Sequence, residues 1–250
     1  MTFNYSNNKT YNILGVNISF LNYDEVINLL FDSPLRTFTC VNQYYLNLAV
    51  EDSQYGNNLK YFDVIHPDGV GINVARKFLY KDNYEVSRIN GSDLYYKLIE
   101  RTLLEKKNIF FLGDSPKVIK NAYREIKKLY PEINISGYHD GYFDIDDESI
   151  VEIINSTNSY LLFVGLGVKR QEYWTMKWHD KLNVEKIINI GGGFRVISKD
   201  RSRGPLFVQK LGLEWLVRLI QEPNKNWKRY LIGIPLFLFR VIRSKYSNDK

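Results

Sequence analysis

A carboxylate that could act as a general base stands in the segment HPDGVG, residues 66–71. An apolar run precedes this segment and a helical pattern follows it, which predicts that Asp68 lies at the carboxyl end of a strand. Partial burial there would raise the pKa of the carboxyl group and prepare it to take a proton. The alternative is structural, because Asp is also a favoured turn and helix-capping residue.

The segment GLGVKRQE, residues 165–172, joins a predicted strand to a predicted helix and could bind an anion. Backbone N–H groups at a helix start attract negative charge, and Lys169 and Arg170 would add to that attraction. Gln171 could hydrogen-bond a sugar or a nucleotide. The segment lacks the glycine spacing of a P-loop or a dinucleotide fingerprint, which argues against an NAD-dependent oxidoreductase or epimerase.

Glycines at positions 191 to 193 follow the apolar run KIINI. They would allow the backbone to approach a ligand closely, so Gly191 and Gly193 are candidate binding residues. A plain turn between strand and loop accounts for the same glycines equally well.

Basic side chains accumulate near the C-terminal end and could stabilise a departing diphosphate without a metal ion. The alternative for any one of them is a solvated basic face. From Arg195 to Lys250 there are 13 basic and 4 acidic residues, whereas the rest of the chain has 21 basic and 24 acidic residues. The candidates are Arg203, Arg218, Lys225, Lys228 and Arg229.

Metal ligation is not expected. Asp144 and Asp146 have the Asp-x-Asp spacing of metal-dependent glycosyltransferases, but a helical run follows at once, so Asp146 and Asp147 are better explained as helix caps. The three histidines show no ligand spacing. The sequence therefore predicts neither a metal ion nor a cofactor.

Short apolar runs alternate with amphipathic helical patterns, which predicts an α/β fold with a mostly parallel sheet and helices on both faces. Ligands of such sheets bind beyond the carboxyl ends of the strands, where the glycine-rich segments fall. The predicted strands are 36–41, 61–66, 108–113, 160–167 and 186–193, and the predicted helices are 93–107, 116–130, 150–156 and 170–181.

The chain beyond residue 203 has a different composition. It is predicted to form an amphipathic helix that Pro223 stops, and then a tail whose apolar run, residues 230–239, is too short to span a bilayer. Flanking basic residues suit a helix in a lipid headgroup layer, while packing on the body or on a second subunit is the alternative. A catalytic domain (1–203) and a basic appendage (204–250) are thus predicted. With one cysteine, Cys40, and no signal peptide, a cytoplasmic protein is expected.

Several segments in this order resemble the WecG/TagA/CpsF glycosyltransferases, glycosyltransferase family 26. They cover most of the chain from about residue 10 to 230, and the last of them is long and distinctive. The segments are CVNQYYLNLA (40–49), FDVIHPDGVGI (62–72), RINGSDL (88–94), FFLGD (110–114), GYHDGYF (137–143), GLGVKRQE (165–172), GGGF (191–194), RSRGP (201–205) and GLEWLVRLIQEPNKNWKRY (212–230).

The resemblance implies a Rossmann-like body whose C-terminal appendage completes the active site at the membrane. It implies an inverting, metal-independent transfer of N-acetylmannosamine, or a related sugar, from UDP to N-acetylglucosamine linked to undecaprenyl diphosphate. The implied partners are the UDP-sugar, the lipid-linked acceptor and an anionic membrane surface at the inner face of the cell membrane. Self-association is also implied, and nucleic acid is not. The alternatives are a related hexosyltransferase and a non-enzymatic nucleotide- or membrane-binding module.

The resemblance also assigns roles by position. Asp68 matches the family's proposed base, Asn42 and Gln171 match polar residues of the donor site, and Arg88 matches a basic residue before the Gly-x-Asp motif. The matches to the diphosphate-binding cations of the appendage are Arg218, Lys225 and Lys228.

The sequence departs from the family at several of these positions. Cys40 stands where Thr is usual, Arg195 where Asp is common, and Lys225 and Lys228 where Arg is typical. Lysine keeps the charge but loses the bidentate geometry of a guanidinium. These departures leave the donor and acceptor sugars open.

Overall fold

A six-stranded parallel sheet forms the centre of the protein, which confirms the predicted α/β class. The computed structural model describes residues 9–81, 84 and 89–248. The strand order is β4-β3-β8-β7-β5-β6, and a separate two-stranded antiparallel sheet joins β1 to β2. The strands are β1 Thr10–Ile13, β2 Val16–Ser19, β3 Thr37–Val41, β4 Val64–Pro67, β5 Asn108–Gly113, β6 Asn134–His139, β7 Leu161–Gly165 and β8 Lys186–Asn189.

Helices cover both faces of this sheet, because successive side chains of a strand point to opposite faces. Phe111 and Phe163 join the core that includes α1, α5, α6 and α9, whereas Phe110 and Leu162 join the core of α7 and α8 on the other face. The helices are α1 Tyr23–Asp32, α2 Gln43–Glu51, α3 Ser53–Leu59, α4 Val70–Tyr80, α5 Gly91–Leu104, α6 Pro116–Leu129, α7 Ser149–Asn155, α8 Arg170–Trp178, α9 Gly193–Ile197, α10 Leu206–Lys210, α11 Glu214–Gln221, α12 Pro223–Trp227 and α13 Gly233–Asn248.

The described part of the appendage, residues 204–248, is divided into more and shorter helices than the sequence predicts. The expected single helix is divided into α10 and α11 by Gly212, whose φ of +74° a helix does not accommodate. As predicted, the amphipathic helix stops before Pro223: α11 ends at Gln221 and Glu222 is not helical. Pro223 also starts α12, because its missing N–H is no loss in a first helical turn. A single π-helical turn, Lys228–Ile232, then leads into α13.

The last helix packs on the body, which was the alternative to a tail that lies wholly in lipid. Phe237 and Val241 of α13 are buried in one core with residues of α2 and α4. Arg240 donates to the backbone carbonyl of Asn47, at 3.0 Å, and pairs with Glu51. Asn47 in turn donates its amide to the carbonyl of Gly233 at 2.7 Å. One face of α13 therefore belongs to the folded body.

Other faces of the appendage leave large apolar side chains in solvent, beside exposed cations such as Lys228 and Arg243. No helix among the described residues combines the length and the apolar character needed to cross a bilayer. The exposed apolar side chains include Leu206, Phe207, Leu211, Ile220, Leu231 and Phe239.

Candidate active site

Two adjacent cavities open at the carboxyl ends of the central strands, where the glycine-rich segments were expected. The glycine-loop cavity, about 260 Å³, is bordered by residues that follow β3, β4, β7 and β8, including Gly191–Gly193. The appendage cavity, about 250 Å³, lies between the loop after β4 and residues of α11, the π-helical turn and α13. Side chains that line both cavities are Asn42, Asp68, Arg218 and Arg229.

Asp68 lies at the junction of these cavities. Its backbone N–H donates to the carbonyl of Val41, at 2.8 Å, so the loop is fixed to the neighbouring strand. The next residue, Gly69, has a φ of +91° and begins α4 without a side-chain cap. Asp68 therefore does not cap this helix, and the one hydrogen bond that its half-buried carboxylate receives from the described residues is long, 3.4 Å from the N–H of Gly91. The carboxylate remains available for chemistry.

Arg218 is the cation that the appendage brings to this carboxylate. Burial alone would lower the pKa of the Arg218 guanidinium, but Asp68, Tyr230 and Glu214 together outweigh it, and the pKa is raised above its ordinary value. Arg218 therefore carries a permanent positive charge between the two cavities. An anionic ligand that enters either cavity meets this charge.

The glycine loop is shaped by its neighbours. Gly191 has a φ of +55°, and a Cβ atom on Gly193 would lie 2.6 Å from the Tyr95 ring. The Tyr95 hydroxyl donates to the carbonyl of Ile190 at 3.2 Å. Larger residues would disturb the loop, so the glycines have a steric cause in addition to any ligand contact. The spacing of tyrosines gave no signal that Tyr95 lies here.

Gln171 supports this loop from behind. Its side-chain oxygen accepts from the N–H of Gly191 at 2.9 Å, and its amide nitrogen donates to Glu172 at 2.6 Å. Gln171 is completely buried and does not line either cavity. The structure thus places Gln171 where it positions the glycine loop, in contrast to the expected direct contact with a donor.

The cations of the same segment also point away from the cavities. Lys169 pairs with Asp52 at 2.8 Å, and Arg170 donates to the backbone carbonyls of Gly141 and Phe143. The expected anion site at the start of α8 is therefore reduced to backbone groups near Gly167, which does line the glycine-loop cavity.

Cys40 and Asn42 come from the end of β3. Cys40 lines the glycine-loop cavity, where burial raises the pKa of its thiol well above the ordinary value and keeps it protonated. Asn42 caps α2, since its side-chain oxygen accepts from the N–H of Tyr44 at 3.0 Å. The amide nitrogen of Asn42 can donate a hydrogen bond to a ligand.

Arg203 fastens the appendage to the body and does not line either cavity. Its guanidinium binds both carboxylate oxygens of Asp93 in α5 and the carboxylate of Glu214 in α11. Asn90 donates to the same Glu214 at 2.6 Å. This group of four residues holds the start of α11, and so Arg218, over the site.

The remaining predicted cations divide into those inside and outside the cavities. Lys225 is exposed and pairs with Glu222, and Lys228 is exposed beside Trp227, so neither lines a cavity. Arg201 and Arg229 do line the glycine-loop cavity. Arg195 pairs with Asp114 and Glu222. Arg88 lies outside the described residues.

The acidic segment before α7 makes local contacts. Asp147 accepts from the N–H and the hydroxyl of Ser149 at the start of α7, as predicted for a helix-terminal carboxylate. Asp146 does not cap the helix and instead pairs with Lys177. Among the described residues, no three His, Cys, Asp or Glu side chains are grouped closely enough to hold a metal ion.

Glu172 is a buried carboxyl group that the sequence gave no reason to single out. It is completely inaccessible to solvent, and burial raises its pKa from 4.5 to about 7, against the opposing effect of its hydrogen bond from Gln171. Within the described part of the chain, one of its carboxyl oxygens has no hydrogen-bond partner. The protein therefore keeps a titratable group directly behind the glycine loop.

Replacement of Glu172 by Gln is expected to stabilise the protein at alkaline pH. The folded state holds the Glu172 proton to higher pH than the unfolded chain does, so this group lowers the free energy of unfolding as pH rises from about 4.5 to about 7. Each pKa unit corresponds to about 1.4 kcal/mol, so Glu172→Gln should gain up to about 3 kcal/mol at pH 8 relative to pH 4.

Urea unfolding of wild type and variant across this pH range measures the effect. The control is Glu148→Gln, which changes a carboxylate that is 54% exposed and paired with Lys181. A Glu172→Gln variant with the same pH dependence as wild type would show that the carboxyl group titrates normally in the folded protein.

The comparisons with known proteins agree with this arrangement. The profile of the glycosyl transferase WecG/TagA/CpsF family matches residues 11–250. The chain is 33% identical to a Bacillus subtilis (strain 168) protein, over 82% of this chain and 78% of the relative, and 31% identical to one from Bacillus spizizenii, over 81% and 77%. A Staphylococcus aureus (strain MW2) protein is 27% identical over 98% of this chain and 97% of its own length.

Each of these relatives is named N-acetylglucosaminyldiphosphoundecaprenol N-acetyl-beta-D-mannosaminyltransferase. The parallel sheet, the strand-end cavities and the matched length agree with the expected resemblance. The chain belongs to the WecG/TagA/CpsF family of glycosyltransferases.

Proposed function

We propose that this protein transfers N-acetylmannosamine from UDP to N-acetylglucosamine on undecaprenyl diphosphate, with inversion at the anomeric carbon and without a metal ion. The observation that carries the proposal is the position of Asp68 and Arg218, which line two adjacent cavities at once. A transferase must hold the acceptor hydroxyl within reach of both the base and the anomeric carbon of the donor, so a base at the junction of two cavities suits this reaction. The names of the relatives indicate the sugars and the lipid.

The glycine-loop cavity suits the nucleotide sugar. Its wall contains backbone from Gly191 to Gly193 and the cations Arg201, Arg218 and Arg229. The appendage cavity suits the lipid-linked acceptor, since it is bordered by Trp215, Phe237 and Leu238 near the exposed apolar side chains.

The reaction needs one proton transfer and one displacement. The Asp68 carboxylate takes the proton from the acceptor hydroxyl while that oxygen forms a bond to the anomeric carbon. The bond between the anomeric carbon and the β-phosphate oxygen breaks, and its electron pair leaves with UDP. Arg218 lies where it can stabilise the charge that develops on the leaving diphosphate.

A donor screen tests the proposal. The protein is incubated with farnesyl-diphosphate-linked N-acetylglucosamine and with UDP-N-acetylmannosamine, UDP-N-acetylglucosamine or UDP-glucose, and UDP release is measured with and without EDTA. UDP release with the mannosamine donor, unaffected by EDTA, is expected. Release only with another donor would make the protein a related hexosyltransferase. If none of the donors leads to UDP release, the result would argue against transferase activity on this acceptor.

We further propose that the protein acts at an anionic membrane surface on the inner face of the cell membrane. The support is the combination of exposed apolar side chains and exposed cations on the appendage, an arrangement that binds lipid headgroups. Flotation with phosphatidylglycerol vesicles, and not with phosphatidylcholine vesicles, is expected. The appendage boundary at residue 204 and the self-association implied by the family remain predictions.

A further inference from the structure

We propose that Arg229, one of the five candidate cations of the sequence, is a diphosphate-binding residue of this enzyme and supplies the contact that the family resemblance assigned to Lys225 and Lys228. The proposal rests on the proposed function. It starts from position, since Arg229 lines both cavities together with Asp68 and Arg218, whereas the two lysines line neither.

The side chain of Arg229 is held in place without a counter-ion. Its guanidinium lies over the Tyr44 ring, with 4.7 Å between the central guanidinium carbon and the ring centroid, and within 5.5 Å of the Tyr230 centroid. Two aromatic contacts fix a planar cation by its face and leave its N–H edges for hydrogen bonds. Tyr44 itself follows the cap Asn42, so the guanidinium is tied to the end of β3.

The described residues form no hydrogen bond with the Arg229 guanidinium. Its Nε is buried and has no partner, and no carboxylate among the described residues forms an ion pair with it. By contrast, Arg201 and Arg203 are each engaged by carboxylates. A buried donor without a partner is costly, and a ligand that accepts its hydrogen bonds would remove this cost.

The local backbone explains why Arg229 faces the cavities and Lys228 does not. Both lie in the π-helical turn Lys228–Ile232. A π-helical turn inserts an extra residue and changes the direction of side chains relative to an α-helix, and such turns are frequent at functional sites. Lys228 is exposed beside Trp227, while Arg229 faces the cavities. A heptad or helical-wheel argument from the sequence cannot reproduce this change of phase.

The ligand chemistry is a diphosphate, which accepts paired hydrogen bonds from a guanidinium. It has two sources in the proposed reaction, the nucleotide donor and the lipid-linked acceptor. Binding experiments separate them. Calorimetry with UDP alone tests the first source, and tryptophan fluorescence with farnesyl-diphosphate-linked N-acetylglucosamine tests the second.

Arg229→Gln is expected to weaken binding of one of these two probes at least tenfold and to lower kcat/KM about 100-fold. Arg229→Lys should recover part of the loss, because it restores charge without the planar fork. Lys228→Gln, which removes the adjacent charge, should have a much smaller effect on both binding constants. Arg243→Gln removes an exposed charge of the same appendage outside both cavities and controls for the loss of one positive charge.

Thermal unfolding shows whether each variant is folded. If Arg229→Gln does not fold, Arg229→Lys is used for all measurements. Unchanged affinity for both probes in the folded Arg229 variant would overturn the proposal. The binding measurements need no turnover, so they test Arg229 even if the donor screen fails. Wild-type activity combined with unchanged probe binding would contradict Arg229 alone and leave the proposed transfer intact.

Discussion

Replacement of Asp68 by Asn is expected to lower kcat for sugar transfer by about 10²- to 10⁴-fold, the usual contribution of a general base. Asn has the same shape but cannot accept the proton of the acceptor hydroxyl. The long hydrogen bond from Gly91 can be kept by the amide oxygen, so the loop should keep its conformation. UDP affinity is expected to be unchanged or higher, because the variant removes the carboxylate that faces Arg218.

UDP release at saturating substrates and calorimetry with UDP measure the two effects separately. Asp180→Asn is a matched control, since Asp180 is 87% exposed and lines neither cavity. Turnover of Asp68→Asn above about one tenth of the wild-type value would exclude Asp68 as the base, because a general base contributes about 10²-fold or more.

Replacement of Arg203 by Met is expected to release α11 from the body and to lower transfer at least tenfold. Arg203 compensates Asp93 and Glu214, and the Glu214 side chain is only 9% exposed. Removal of one partner of such a buried pair costs about 3 kcal/mol, because the remaining charge stays in a poorly solvated site. When α11 moves, Arg218 leaves the junction of the cavities, so donor affinity and turnover should fall together.

Limited proteolysis between residues 204 and 212 and UDP release measure these effects. Lys199→Met is the control, because Lys199 is 67% exposed and pairs with Glu125 away from both cavities. The double variant Arg203→Met, Glu214→Gln should regain part of the lost stability, since Gln removes the carboxylate charge that Arg203 faced and still accepts from Asn90. If Arg203→Met resists protease and transfers sugar like wild type, α11 is held by other contacts.

The sheet was predictable where strands are buried on both faces. The residues of β3, β4, β7 and β8 are all buried, and the segments that follow β4 and β8 contain Asp68 and the glycine loop. Strand β6 was missed because it lies at the edge of the sheet and has mixed polarity, with Gly137 in its middle. The β1–β2 hairpin was also missed, although its turn, Leu14-Gly15, has positive φ at both residues.

The site was less predictable than the fold, because residue type and spacing do not give side-chain direction. Gln171 was expected in the donor site but turns inward to the N–H of Gly191. Lys225 and Lys228 were expected beside a diphosphate but lie in solvent. The direction of each of these side chains depends on tertiary contacts or on a π-helical turn, and no local sequence pattern predicts either. The direction of the Asp68 side chain was predictable because a short side chain next to glycine has little choice of direction.

The docking of α13 on α2 has a consequence for the folding of the enzyme during its synthesis on the ribosome. Arg240 and Asn47, which join these helices, are 193 residues apart in the chain. During synthesis the N-terminal parts of a chain can fold first, whereas contacts across such a separation form only after the later residues have emerged. The nascent sheet therefore contains Asp68, the proposed base, long before Arg218 and Arg229 have been synthesised. The two cavities can be completed only after the appendage has emerged and docked.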